Sequence, residues 1–243
     1  MESNQLGPLS DLCLASRANQ RFQTLGMDSP QYCRDSRHYA ACQDKITYEF
    51  NSRGFRDQEW PEDLASAIWC VGDSYTVGIG QPLQDIWCQQ LSQLLKQRTI
   101  NISMDGASNA WISRRAAQIL REIAPGIMIL HWSFLHRRED PRADVSDELR
   151  RIWHQRDSDD LAEFQRCVCA VENANQHTVI IHSTIPGFSP NPVIRQAFLR
   201  RLVGRRALPD LQQLDYGRDG YHYGPATVRH LINHVSNTLP LQL

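Results

Sequence analysis

Ala67-Ile68-Trp69-Cys70-Val71-Gly72-Asp73-Ser74-Tyr75-Thr76 carries five apolar residues into a glycine and then into polar residues. A short unbroken apolar run ending at glycine reads as a strand buried on both faces, the kind that parallel sheets contain. The sequence then alternates. Residues 85–96 place Ile86, Trp87, Leu91, Leu94 and Leu95 at helical spacing. Thr99-Ile-Asn-Ile102 reads as a second strand, and 108–123 as a helix with Ile112, Ala116, Ile119, Leu120 and Ile123 on one face. Gly126-Ile-Met-Ile-Leu-His-Trp132 is a third strand. Residues 137–158 are charged and contain Pro141, which predicts a surface excursion with at most a short helix. A helix over 161–175, a strand at Thr178–His182 and a helix over 190–203 follow. Residues 211–214 read as a short fifth strand, and Pro225 opens a last helix running to 239. Strands alternating with helices predict an α/β fold, a parallel sheet between two helical layers. Right-handed crossovers make such a sheet doubly wound, with ligands beyond the carboxyl ends of its strands.

Ahead of this pattern, residues 1–65 read as an N-terminal extension, polar and irregular to about residue 45. Ile46-Thr-Tyr-Glu-Phe-Asn51 alternates apolar and polar residues, so a half-buried strand or hairpin is expected near 46–56. Residues 66–243 form the expected main domain. The 243 residues are 41% apolar and 22% charged with a net charge of −1. That balance is ordinary for a globular protein and gives no reason to expect nucleic acid or an anionic membrane as partner. The opening Met-Glu-Ser-Asn-Gln-Leu-Gly-Pro lacks the basic and apolar regions of a signal peptide, and no stretch is apolar enough to span a bilayer. A cytoplasmic location is expected. The seven cysteines have no framework spacing. Cys167-Val-Cys169 is an isolated Cys-x-Cys, read as structural thiols rather than metal ligands.

Two groups of residues could do chemistry together. Ser74 follows the first strand among glycines, where a hydroxyl can face the sheet's edge; alone it would pass for a polar turn or a helix cap. A serine hydroxyl needs a base within hydrogen-bond reach to become a nucleophile. Arg218-Asp-Gly-Tyr-His-Tyr-Gly224 supplies one just before the last helix. Asp219 and His222, three apart on a glycine-bearing loop, let a carboxylate hold one imidazole nitrogen while the other faces the serine. The plainer reading of this pair is a capping Asp and a surface His. A nucleotide site has less support, because Gly72 to Gly80 matches neither phosphate-cradling glycine motif.

With these residues the chain resembles the SGNH/GDSL hydrolase superfamily. Its first block, Gly-Asp-Ser before a small or hydroxylated stretch, is matched by Gly72-Asp73-Ser74-Tyr75-Thr76. Its last block, Asp-x-x-His before the final helix, is matched by Asp219-Gly220-Tyr221-His222. The glycine of its second block falls within Asn101-Ile-Ser-Met-Asp-Gly106-Ala-Ser-Asn109. The resemblance spans residues 66–238 and implies a flavodoxin-like three-layer sandwich, with ester hydrolysis or acyl transfer needing no metal or organic cofactor. It implies Ser74 as nucleophile, His222 as general base and acid, Asp219 as its orienting group, and the N–H groups of Ser74 and Gly106 as an oxyanion hole. The third block departs from the pattern. Where the superfamily usually has Gly-x-Asn-Asp, this chain has His131-Trp-Ser-Phe-Leu-His-Arg-Arg138. Ser133, His131 and Asn109 are the candidates for the third oxyanion donor. Arg137 and Arg138 are candidates for binding an anionic substrate, against the plainer reading of a solvated basic pair. Trp111 and Trp132 are candidates for lining an acyl or sugar pocket, against ordinary packing. The expected function is an esterase or carbohydrate deacetylase, acting on a small-molecule or carbohydrate ester. The alternatives are acyl transfer to a sugar or glycan, and a non-catalytic ligand-binding domain on the same fold.

Overall fold

The protein is described here from a computed structural model, over residues 9–25, 44–139, 151–153, 157–189, 191–202, 205–208 and 211–239. Strand β1 (Arg21–Thr24) pairs antiparallel with β2 (Ile46–Glu49). Then come β3 (Ile68–Gly72), the four-residue helix α1 (Ser74–Val77), α2 (Trp87–Leu95) and β4 (Thr99–Ser103). Helix α3 (Asn109–Glu122) leads to β5 (Ile127–Trp132), and β6 (Arg137–Glu139) pairs antiparallel with β7 (Arg151–Trp153). The chain continues through α4 (Asp157–Ala174), β8 (Val179–Thr184), α5 (Pro192–Arg201), β9 (Arg206–Ala207) and α6 (Pro225–Thr238).

The central sheet has the order β4-β3-β5-β8-β9, and every neighbouring pair is parallel. All five residues of β3 and of β4 are buried. Helix α2 packs against α6, while α4 packs against both α3 and α5, which sorts the helices into two layers. The expected α/β sandwich is therefore present. One apolar core joins the sheet to both layers and takes in Leu9, Leu12, Leu14 and Phe55 from the N-terminal segment.

Three expectations need correction. Residues 211–214 are not a strand; the fifth strand is the two-residue β9, beside Ile181 and His182 of β8. The N–H groups of Leu214 and Asp215 instead donate to the Thr227 hydroxyl on α6, at 2.9 and 3.0 Å. The excursion over 137–158 contains the β6–β7 pair, and its last two residues already belong to α4. The first turn of α4, Asp157-Ser-Asp-Asp160, is acidic, which suits a helix N-terminus, and so the helix starts before its apolar pattern does. Residues 140–150 and 154–156 of that stretch lie outside the described residues, as do Cys33 and Cys42. Finally, the strand at 46–49 finds its partner at 21–24 rather than in the segment that follows it.

Candidate active site

The chain leaves β3 toward β4 on one side and returns to β5 on the other, so a crevice opens beyond the carboxyl ends of β3 and β5. Ser74 stands there as the first residue of α1. Asp73 caps the helix by accepting the Tyr75 N–H at 3.1 Å, and Gly78, with φ +75°, ends it. The turn is packed closely enough to demand glycine before it: a Cβ on Gly72 would lie 2.1 Å from the Thr76 hydroxyl oxygen.

Ser74 Oγ lies 2.9 Å from Nε2 of His222. His222 Nδ1 bonds Oδ2 of Asp219. The other oxygen, Oδ1, accepts the N–H groups of Tyr221 and His222, each at 3.1 Å, which fixes the carboxylate. A carboxylate on Nδ1 keeps the ring proton there and leaves Nε2 as an acceptor for the serine hydroxyl. The three residues thus form a continuous chain of hydrogen bonds. Ser74 is 2% and His222 8% exposed. The buried Tyr75 ring packs on His222 with centroids 4.6 Å apart and on Tyr223 at 4.8 Å.

Residues so far apart in the chain meet because their two loops bond to each other. Gly80 accepts the Arg218 N–H at 3.0 Å, and Gln81 Nε2 donates to the Tyr223 carbonyl at 2.6 Å. Gly80 adopts φ +81°, and a Cβ there would meet Asp219 Oδ1 at 2.8 Å. The N-terminal segment braces the same turn from the other side. Tyr48 Oη accepts the Gly80 N–H at 2.8 Å. Arg56, 1% exposed, donates to the carbonyls of Val77 at 3.2 Å and Gln81 at 2.6 Å and also bonds that of Gly78. Its guanidinium sits 4.0 Å over the Tyr48 ring, and burial lowers its pKa to about 10. Next to it, the buried Asp57 carboxylate accepts the Asn101 N–H at 3.0 Å and so satisfies the outer edge of β4. The sequence reading expected only a strand or hairpin near 46–56 here.

The remaining candidates divide. The Ser74 N–H opens a helix and has no intrahelical acceptor. Gly106 turns the chain after β4 with φ +65°. Ser133 Oγ donates to Asp73 Oδ2 at 2.6 Å. Asn109 brackets the Ser133 backbone, accepting its N–H at 2.8 Å and donating to its carbonyl at 3.2 Å. Those hydrogen bonds occupy Ser133 and Asn109, two of the three expected third donors. Arg137 is buried and pairs with Asp73 Oδ2 at 2.9 Å, so it is not a surface charge. Arg138 is tied to Asp160 and the Leu135 carbonyl. Trp132 is fully buried, its ring edge-on to Phe164 and its indole N–H donating to His182 Nδ1 at 3.1 Å. It is a packing residue. Trp111 is likewise buried in the core. Cys167 is buried on α4 and Cys169 exposed, and both are free thiols.

His131 bonds Tyr223 Oη through Nε2 at 2.8 Å and Ser183 Oγ through Nδ1 at 3.1 Å. Burial lowers the pKa of His131 and of His182 to about 4, so both are neutral at neutral pH. The folded chain refuses protons that the unfolded chain accepts below about 6.5. Each histidine therefore contributes stability that is complete above that pH and is lost as pH falls toward 4, about 3 kcal/mol apiece. Asp57, pushed up to about 6 by burial, works in the opposite sense over nearly the same interval. In urea melts between pH 7 and pH 4, His182→Gln is expected to lose about 3 kcal/mol less than wild type. Parallel pH curves for the two proteins would refute this.

No protein-family model matches the sequence, and no curated protein matches it. Solved structures do. TesA is similar at 18% identity over 73% of this chain and 99% of its own, with a TM-score of 0.52. A family two carbohydrate esterase from Clostridium thermocellum, solved with cellohexaose, shares 12% identity over 74% of this chain and 65% of its own, at a TM-score of 0.50. LAE5, an alpha/beta hydrolase from the metagenome of Lake Arreo in Spain, shares 16% over 71% and 94%, also at 0.50. What these proteins share with this chain is the fold. It is the α/β fold of the SGNH/GDSL hydrolases. Among the described residues, no helix is long and apolar enough to cross a membrane.

Proposed function

We propose that the protein is a serine hydrolase that cleaves an ester through an acyl-serine intermediate. The observation that carries this reading is the unbroken chain from Ser74 Oγ through His222 to Asp219, at the crevice where this fold places ligands. In the first step Ser74 Oγ attacks the ester carbonyl carbon as His222 Nε2 takes its proton. Asp219 holds the imidazolium in place. The N–H groups of Ser74 and Gly106 receive the negative charge on the former carbonyl oxygen. Collapse breaks the ester C–O bond, and His222 returns the proton to the leaving alkoxide. A water, deprotonated by the same nitrogen, then releases the acid and restores Ser74.

Tyr221 favours a ring on the leaving-group side. It is 50% exposed, and its ring stands edge-on to His222 at 5.1 Å. That aromatic face suits a sugar, so carbohydrate esters are the substrates to try first; a sugar hydroxyl replacing water would make the same site an acyltransferase. A fluorophosphonate probe is expected to label wild-type protein at Ser74, seen by peptide mass spectrometry, and a short-chain aryl ester to be cleaved. If Ser74→Ala matches wild type in both assays, the proposal is wrong. Absence of labelling in folded wild type would favour a ligand-binding domain instead.

A further inference from the structure

Asp73 is a fully buried carboxylate adjacent in sequence to the proposed nucleophile. Its Oδ1 caps α1, and its Oδ2 accepts both the Ser133 hydroxyl at 2.6 Å and Arg137 Nη1 at 2.9 Å. The same Nη1 also reaches Ser133 Oγ at 2.9 Å. Arg137 is 7% exposed and belongs to β6, outside the Gly-Asp-Ser turn. Its guanidinium lies 4.8 Å over the Phe134 ring, which helps hold it in this position.

This arrangement answers an electrostatic problem. Ester hydrolysis at Ser74 creates a negative charge beside the N–H of the residue that follows Asp73. Two like charges about 6 Å apart, at an effective dielectric of about 20, change an equilibrium roughly 100-fold. A bare Asp73 carboxylate would therefore oppose the step that the turn has to promote. We propose that Arg137 is a positioning residue that acts through Asp73: it neutralises the helix cap and directs the Ser133 hydroxyl onto it, so that the turn carrying Ser74 tolerates an oxyanion. Two backbone donors then face a site with no adjacent uncompensated charge, and Ser133 serves the cap rather than the oxyanion. The inference rests on the hydrolase reading above.

The ionisable groups that sense Asp73 keep their state across the assay range. Tyr75 lies on α1, Tyr223 in the loop before α6, and His131 on β5, and each senses the Asp73 charge. Burial pushes both phenols above their ordinary range and His131 down to about 4, so none of them titrates between pH 5.5 and 9. His222 and Asp219 are common to every variant compared. With Arg137 removed, the buried Asp73 carboxylate has no cation beside it and opposes the oxyanion, a loss that wild type lacks.

The experiment compares wild type, Arg137→Gln, Asp73→Asn and the double variant, reading kcat for a short-chain aryl ester and the rate of fluorophosphonate labelling from pH 5.5 to 9. Asparagine still caps the helix, so Asp73→Asn removes the charge without removing the cap. Arg137→Gln is expected to fall roughly 100-fold. The double variant is expected to return within about tenfold of wild type. Arg137→Lys, which keeps the charge, is the comparison if the glutamine variant fails to fold; it should stay within about tenfold of wild type. A double variant no faster than Arg137→Gln overturns the proposal, as does an Arg137→Gln that keeps pace with wild type. If folded wild type neither labels nor hydrolyses the ester, the hydrolase reading fails and takes this inference with it.

Discussion

Replacing His222 with alanine is expected to lower kcat on a short-chain aryl ester by about 10⁴-fold or more. The imidazole is bonded on both sides, to Ser74 Oγ at 2.9 Å and to Asp219 through Nδ1. Without it, nothing in that chain takes the serine proton. Asp219→Asn should cost about 10⁴-fold for a different reason. An amide that presents its NH₂ to Nδ1 drives the ring proton onto Nε2, where it faces the serine and blocks proton uptake. The two variants separate the base from the group that orients it. Steady-state kinetics and fluorophosphonate labelling check both, with circular dichroism confirming the fold. Full activity in either folded variant would remove that residue from the mechanism.

The second large effect concerns stability. Arg56→Met is expected to lower unfolding free energy by about 4 kcal/mol, because three buried carbonyls lose the Arg56 donor, that of Gly78 keeping only the Gln81 N–H at 3.3 Å, and each group left unsatisfied costs about 1–3 kcal/mol. Relief of the desolvated charge offsets part of that sum. The carbonyls belong to Val77, Gly78 and Gln81, in the turn that also supports Arg218 and Asp219. Activity should therefore fall along with the midpoint of a denaturant melt. Arg56→Lys cannot reach all three carbonyls from one ammonium and should recover only part of the loss. A methionine variant with an unchanged midpoint would show that the brace is dispensable.

The fold was legible where burial is uniform. Ile68–Val71 and Met128–Leu130 are apolar because both faces of the central strands are covered, and an unbroken apolar run announces that. β9 could not be read. Two residues have no period, and Arg206 is exposed at the sheet's edge, so nothing marks the pair as a strand. The hairpin partner of Ile46–Glu49 was hidden for another reason: more than twenty residues separate it from Arg21–Thr24, and no local turn signal links them.

The candidate site was legible in its hydrogen-bonded triad and much less so in its supports. Ser74, Asp219 and His222 announce themselves as motifs, and the structure brings them into hydrogen-bonding contact. Arg137 read as a contact for an anionic substrate or as a solvated charge, and it lies against Asp73. A basic pair on a charged stretch looks solvated, and only the approach of β6 to the Asp73 turn reveals an internal ion pair. Arg56 lay in the stretch near 46–56 read as a strand or hairpin, and its contacts are to backbone carbonyls, which leave no trace in residue types.

The separation between Ser74 and His222 also bears on the timing of synthesis. They are 148 positions apart, and His222 arrives with the loop that leads into α6. At about 5–20 residues per second, a ribosome makes the histidine roughly 7–30 s after the serine. On the proposed mechanism Ser74 has no base throughout that interval, and a chain truncated before residue 222 is expected to be inert towards esters.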